Sequence, residues 1–258
     1  MTPLAARRLI RAGTHARPTA GLAPGALQAN LVILPEAEAQ DFEAFCAANP
    51  KPCPLLARTG PGDPFLLQLG EDIDLRYDLP GYHIWYDGQM SGEQFDIAAL
   101  WRDDLVSFAL GCSYGFEAAL QEAGIALRHI DAGHNVSMYD TSLPVTPAGR
   151  FFGNMVVSMR PIPAERLGDV HRICAEFPLC HGPPVHTGPA EEIGIADLAQ
   201  VNYGDPTEVA VGESPVFWAC GVTPQNAIRT SKPGFAITHA PGKMLICDLP
   251  AGVATISA

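Results

Sequence analysis

The chain has 258 residues, of which 47% are hydrophobic and only 17% charged, which suits a large folded core and excludes a disordered polypeptide. No apolar run approaches the ~20 residues of a membrane span. The net charge of −12 argues against broad nucleic-acid binding and requires any anion site to be locally basic.

The seven cysteines follow no metal-finger or disulfide spacing, so a reducing cytoplasm with free thiols is expected. Arg7, Arg8, Arg11 and Arg17 precede the first acidic residue, Glu36. They resemble a transit peptide in charge but lack its long Ser-rich stretch, and no apolar h-region of a secretory signal follows them. Leu4 to Ile10 reads as a short amphipathic helix stopped by Gly13. A rigid Gly21–Gly25 loop then leads into a buried strand at Leu31 to Leu34. Pro35 opens a helix whose apolar face is Ala39, Phe42, Phe45 and Cys46, and Asn49-Pro50 ends it. Leu55 to Ala57 is the next strand. Tyr82 to Tyr86 is another, entering a hairpin turn at Asp87-Gly88.

Ile97, Leu100, Trp101, Leu105 and Phe108 recur at helical spacing, which predicts a helix from Ile97 to Leu110. Ser113 is expected to cap a following helix that Gly124 ends. Strands are expected at Ala126 to Ile130 and Phe151 to Met159, a helix from Pro163 to Phe177, and a strand at Val185 to Thr187. Val216 to Ala219 is an apolar strand, Thr223-Pro224 reads as a helix cap with proline at the first helical position, and Phe235 to Thr238 is a second strand. Two strands joined by one helix are most simply parallel. That would place Cys220 and His239 at neighbouring strand ends, beside a helix N-terminus that offers free N–H groups to an anion. The expected fold is α/β, a larger three-layer α/β/α domain (1–124 and 189–258) with a smaller two-layer α/β domain (125–188) inserted.

Several residues could carry chemistry. A thiol at Cys220 could act as a nucleophile if its pKa were lowered, or pack as a small hydrophobe. His239 could move protons near neutral pH, or bond the Ala240-Pro241-Gly242 turn. Arg160 has a fork suited to a carboxylate. Asn135 and Tyr139 flank a loop and could offer hydrogen bonds. Glu117 could face a ligand or complement a helix dipole. His181 and His186, with Cys180, have a spacing that gives only a weak metal signal, so an orienting or structural role is expected and no metal. No phosphate-binding glycine loop follows a strand, so no nucleotide cofactor is expected.

Taken in order, Gly21-Leu22-Ala23-Pro24-Gly25, Asn49 to Leu56, Trp101-Arg102-Asp103-Asp104-Leu105-Val106, Gly111-Cys112-Ser113, Val157 to Ile162, Phe217 to Gln225 and Ile237 to Gly242 resemble the D-glutamate cyclase family over nearly the whole chain. The resemblance implies a two-domain α/β fold and lactam formation, D-glutamate losing water to give 5-oxo-D-proline. After Tyr139 this chain reads Asp140, Thr141-Ser142 and Val145 where the family pattern has a basic residue, Thr-Asn and Cys. The reading that follows is a cytoplasmic hydro-lyase acting on a small carboxylate without a cofactor. His239 would transfer the proton, with Cys220 beside it. Thr223 and Gln225 would hold the carboxyl oxygens, Arg160 the α-carboxylate, and Ser113, Asn135, Tyr139 and His181 would complete the site. No nucleic-acid or membrane partner is expected, and homo-oligomer formation is left open. The alternatives are a silent carboxylate-binding protein or a metal-dependent hydratase using Cys180, His181 and His186.

Overall fold

The computed structural model describes residues 1–253. Helix α1 (Pro3–Arg11) is capped by Thr2, whose Oγ1 accepts from Ala5 N–H at 3.3 Å. Strand β1 (Ala26–Pro35) is buried along almost its whole length, and α2 (Glu36–Ala48) follows. Strands β2 (Leu55–Arg58), β3 (Tyr82–Tyr86), β4 (Gln89–Gln94) and β5 (Leu105–Gly111) come next, then helices α3 (Tyr114–Glu122) and α4 (Arg128–Asp131). Strands β6 (Ser137–Pro144) and β7 (Asn154–Pro163) precede α5 (Leu167–Ala175) and the short β8 (His186–Thr187). Strand β9 (Glu213–Ala219), α6 (Thr223–Ser231), β10 (Ala236–His239) and β11 (Leu245–Pro250) complete the described chain.

The strands form two antiparallel sheets. The first runs β2-β5-β1-β10-β3-β4, with β11 also pairing β1, and the second runs β6-β7-β9-β8. The mixed α/β class agrees with the sequence, but the parallel pairing does not. Strand β9 pairs β7 in the second sheet, with Trp218 opposite Ser158, whereas β10 pairs β1 and β3 in the first. The helix α6 between them therefore passes from one sheet to the other and closes no parallel crossover. Because β9 belongs with β6, β7 and β8, the second sheet draws strands from 137 to 219 and runs past the boundary expected at 188.

Two further expectations are overturned. Residues 105–111 are the strand β5, central between β2 and β1, and only 98–100 form a single 3-10 turn. All of β5 is buried, so the run Leu105-Val106-Ser107-Phe108-Ala109-Leu110 decided the structure, not the 3.6-residue spacing of Ile97, Leu100, Trp101, Leu105 and Phe108. Residues 128–131 form the turn of helix α4, bracketed by Gly124 and Gly133 with positive φ, in place of the expected strand.

Leu27, Leu31 and Ile33 of the first sheet share one buried cluster with Phe116 and Leu120 of α3, and with Ile162, Val216 and Trp218 of the second sheet. The opposite face of the first sheet, with Val32, Leu34 and Phe108, packs against Phe42 and Phe45 of α2 and Ala227 and Ile228 of α6. The arginine-rich start is structural: Arg7 is fully buried, its Nη1 donating to Asp248 at 2.8 Å and its Nη2 to Asp72 at 2.6 Å, which ties α1 to β11.

Gly111 ends β5 where the backbone of the 178–180 turn comes in; a Cβ there would stand 1.5 Å from the Leu179 carbonyl oxygen. Neither backbone can yield cheaply, so Gly111→Ala is expected to cost about 3 kcal/mol or more and to lower the melting temperature by several degrees. Gly92→Ala, on the exposed strand β4 with nothing within 4 Å of the added carbon, is the control and should change stability little. Equal melting temperatures for both variants in a thermal denaturation series would contradict this packing.

Candidate functional site

The turn Cys220 to Gln225 leaves the second sheet and is driven against the first. Gly221 lies so close to β1 that a Cβ would meet the Asn30 side chain at 1.9 Å, and Asn30 Nδ2 in turn donates to Gly111 O at 2.5 Å. The cap expected at Thr223 is absent: Val222 occupies the cap position, and Thr223 is the first helical residue. Its Oγ1 accepts from Val156 N–H at 3.0 Å and donates to Val156 O at 3.2 Å, clamping the helix start to β7. The N–H groups of Thr223, Gln225 and Asn226 donate to the Cys220 and Val222 carbonyls. Pro224 has none, so the helix start offers no free donor to an anion.

Gln225 Nε2 donates to the His239 carbonyl at 2.9 Å, and Leu31 N–H donates to His239 Nδ1 at 3.2 Å. Leu31 O also lies 3.3 Å from Nδ1, and Gln225 Nε2 lies 3.4 Å from Nε2, so both ring nitrogens are enclosed by partners within the protein. His239 is 0% exposed, and burial pushes its imidazole down to about 3. Cys220 is buried with Sγ 3.6 Å from Met138 Sδ, and burial pushes its thiol up to about 11. A nucleophilic cysteine requires the opposite shift, so Cys220 is a packing residue here.

Arg160 is 1% exposed on β7, between the rings of Phe116 and Trp218 at 5.2 and 5.3 Å from their centroids. Its Nε and Nη2 donate to Glu117 Oε1 at 3.0 and 2.5 Å, while Ser158 and Ser113 each accept at 3.1 Å. The fork expected to hold a substrate carboxylate is thus filled by Glu117. Ser113, expected as a helix cap, spends its hydroxyl on the guanidinium and makes no cap bond. His129 Nε2 also meets Glu117 Oε1, at 2.9 Å. Burial opposes ionisation of Glu117, but Arg160 and His129 outweigh it and hold the carboxyl below its ordinary pKa.

Asn135 is likewise committed: Tyr114 Oη donates to its Oδ1 at 2.7 Å, and its Nδ2 donates to Pro241 O at 3.0 Å. Tyr139 and His181 lie apart from this junction. Tyr139 sits within strand β6, where a loop was expected, and donates to Leu198 O at 2.7 Å; His181 Nδ1 lies 2.8 Å from Lys51 O. His186 Nε2 contacts Pro189 O at 2.8 Å, and Cys180 Sγ faces Ala251 O at 3.6 Å. These side chains do not converge, and no group of three or more His, Cys, Asp or Glu side chains among the described residues is arranged to hold a metal ion. No described helix is long and apolar enough to cross a membrane.

The structure thus draws Ser113, Asn135, Arg160, Cys220, Thr223, Gln225 and His239 into the buried junction of the two sheets. None of them lines the cavity beside it. That cavity, about 540 Å³, lies between β6, the 144–153 loop, the start of β7 and the outer face of α6. Its polar wall is Asp140, Thr141, Asn154, Asn226, Arg229 and Thr230. Asn226 Nδ2 donates to Asn154 O at 2.8 Å, Asn154 Nδ2 to Thr141 O at 3.0 Å, and Arg229 Nη2 to Asp140 Oδ2 at 2.7 Å. The volume suits a small ligand with a few convergent polar groups. Sequence reasoning missed Asn154, Asn226, Arg229 and Thr230, although Asn226, Arg229 and Thr230 stand at i, i+3 and i+4 and so share one helix face. Asp140, Thr141 and Val145, where the chain departs from the family pattern, are part of the same wall.

Residues 106–248 match a family described as D-glutamate cyclase. The chain belongs to the D-glutamate cyclase family. A protein from Bordetella petrii named "Putative hydro-lyase" is 55% identical over 96% of this chain and 94% of its own length. Proteins of the same name from Jannaschia sp. and Methylobacterium sp. are 55% and 54% identical, over 95% and 94% of this chain and 92% and 90% of theirs. Among solved structures, a nitrogen repressor-like protein from Methanococcus jannaschii covers 95% of this chain and 98% of its own at 8% identity. Its TM-score of 0.39 is too low to define a common fold.

His181 and His239 are both buried neutral, at about 4 and about 3 against an ordinary value near 6.5. Below that value the unfolded chain takes up protons that the folded chain refuses, so folding stability should fall as the pH drops from about 6.5 towards 5. Each histidine contributes at most about 1.4 kcal/mol per pH unit to that slope. Denaturant unfolding at pH 7, 6 and 5 measures it, and a flat profile would contradict the buried, neutral state of these rings.

Proposed function

We propose that this protein is a hydro-lyase that closes D-glutamate to 5-oxo-D-proline, and that the reaction takes place in the cavity over β6, β7 and α6. One observation carries the reading: the whole polar wall of that cavity, residues 140 to 230, lies within the segment matching the D-glutamate cyclase family. The relatives named as hydro-lyases support the reaction class.

The chemistry needs little machinery. The substrate amine attacks its own γ-carboxyl carbon, a C–N bond forms, and one carboxyl oxygen departs as water carrying two protons from the original ammonium group. Nucleophile and electrophile belong to one molecule, so holding the chain folded supplies much of the advantage as proximity. The amine must first lose a proton, and Asp140 is the carboxylate in the cavity wall that can accept one. His239, sealed in the sheet junction, has no path to that proton and instead holds β10 against β1.

A second reading is a protein that binds a carboxylate without turning it over. It is favoured by the same wall: beyond Asp140 and Arg229, the lining residues carry no ionisable side chain.

Purified protein incubated with D-glutamate, L-glutamate or a dehydratable hydroxy acid, and followed for 5-oxoproline or loss of water, separates the two. Turnover of D-glutamate is expected. Cys220→Ser should retain most of it, because that sulfur packs against Met138 and touches no cavity. Absence of turnover with every substrate, together with stabilisation of the fold by the same ligands, would overturn the catalytic reading in favour of binding alone.

A further inference from the structure

A second pocket, about 270 Å³, opens where the segment 15–20 meets helix α4 and the turn that follows it. Its ionisable side chains are His15, Arg17, His129 and His134, and the remaining lining residues are proline, alanine, isoleucine and glycine. Three of the eight histidines and an arginine thus meet with no carboxylate in the wall, in a chain of net charge −12. Arg7 and Arg11, earlier in the same arginine-rich start, are spent on Asp72, Asp78 and Asp248. Arg17 has no side-chain partner among the described residues, and its Nη2 lies against Gly133, 3.9 Å from where a Cβ would stand. Free carbonyls at the end of α4 would oppose an anion. Here His134 N–H donates to His129 O at 2.8 Å, and Gly133 N–H donates to Ile130 O at 3.0 Å.

His129 adds a buried ring nitrogen to this basic wall. The residue is 4% exposed, and its Nε2 is fixed on Glu117 Oε1 at 2.9 Å. Glu117 is held as a carboxylate, so Nε2 carries a proton. Nδ1 has no hydrogen-bond partner among the described residues, yet it is not one of the unpartnered atoms sealed from solvent. It therefore reaches open space, and the open space that His129 lines is this pocket. Protonated on both nitrogens, the ring donates to Glu117 on one side and to an anion on the other. Its neighbours leave that second place free. Tyr114 stacks on the ring at 6.5 Å, and Arg160 meets it only through Glu117. Asp131, also on α4, is exposed and outside the pocket wall.

We propose that this pocket is a second ligand site and takes a phosphate group, either inorganic phosphate or the head of a small phosphomonoester. A tetrahedral dianion presents oxygens in several directions, which suits a guanidinium fork and imidazoles arriving from two chain segments. A planar carboxylate would leave more of these donors unused. The site shares no lining residue with the cavity over α6, so it stands whether or not that cavity is catalytic.

The test titrates inorganic phosphate, glycerol phosphate and acetate into the full chain at fixed pH and ionic strength, following the histidine imidazole resonances by NMR. Both phosphates should bind saturably and shift His129 and His134, and acetate should bind far more weakly. Tighter binding of glycerol phosphate would mark an ester as the source, and tighter binding of inorganic phosphate the free ion. Arg17→Gln and His134→Gln, both at exposed positions, should fold normally and weaken phosphate about 10-fold or more. Arg172→Gln removes the same charge from an arginine 70% exposed on α5 and should change little. Equal weakening by Arg172→Gln reduces the effect to net charge and overturns the inference. Dependence on Arg229 in place of Arg17 moves the anion to the cavity over α6, with the same consequence. Absence of saturable phosphate binding, acetate binding as tight as phosphate, or binding that leaves His129 unmoved overturns it without a variant.

Discussion

The cavity exists because helix α6 is seated on two sheets at once. Thr223 exchanges hydrogen bonds with the Val156 backbone of the second sheet, and Gln225, two residues on, reaches the His239 carbonyl at the end of β10 in the first. With its first turn held from both sides, α6 has no freedom to roll, and its outer face is aimed by default over the start of β7. Asn226 secures that orientation through Asn154, and Arg229 and Thr230 follow at helical spacing. Gly221 makes the seating possible, since any side chain there would collide with Asn30.

The polar residues behind this arrangement do structural work of a demanding kind. A guanidinium and a carboxylate buried together survive only when every remaining donor is used, and Arg160 spends its donors on Glu117, Ser113 and Ser158 between two aromatic rings. The network joins β7 to α3 and, through His129, to α4. Its members are the residue types that catalysis also uses, and the same residues in a wet cleft would read as an active site. Burial separates the two cases here, with all three of the bonds to Glu117 falling on Oε1 while Oε2 stays without a partner among the described residues. His239 and Cys220 belong on the structural side for the same reason: one is held neutral and the other held protonated by the dry interior.

Much of the fold was legible in the sequence. Strands β1, β2, β3 and β10 and helices α1, α2, α5 and α6 announce themselves through apolar runs, amphipathic spacing and Pro or Gly punctuation. What failed was pairing and period. The Val216–Ala219 strand carries no local mark of which sheet it joins, because that depends on Ser158 and Trp218 meeting across the chain. The 105–111 strand has apolar residues on both faces, a pattern a helix can imitate over a short window. Within the family-like segments, the chemistry of single residues drew attention to histidine, cysteine and arginine types. The accessible wall is made of Asp140, Asn154, Asn226 and Arg229, whose meeting depends on tertiary seating. Available in advance were the three-and-four spacing on α6 and the departure from the family pattern at Asp140, Thr141 and Val145.

The central claim is that the substrate lies in the cavity over α6 and not in the sheet junction, and a crystal structure with D-glutamate or 5-oxo-D-proline bound tests it most directly. The account predicts the ligand between β6, β7 and α6, against the wall of Asp140, Asn154, Asn226 and Arg229, with the Arg160–Glu117 pair undisturbed. A ligand bonded to His239 or to Arg160, with Glu117 displaced, would contradict it.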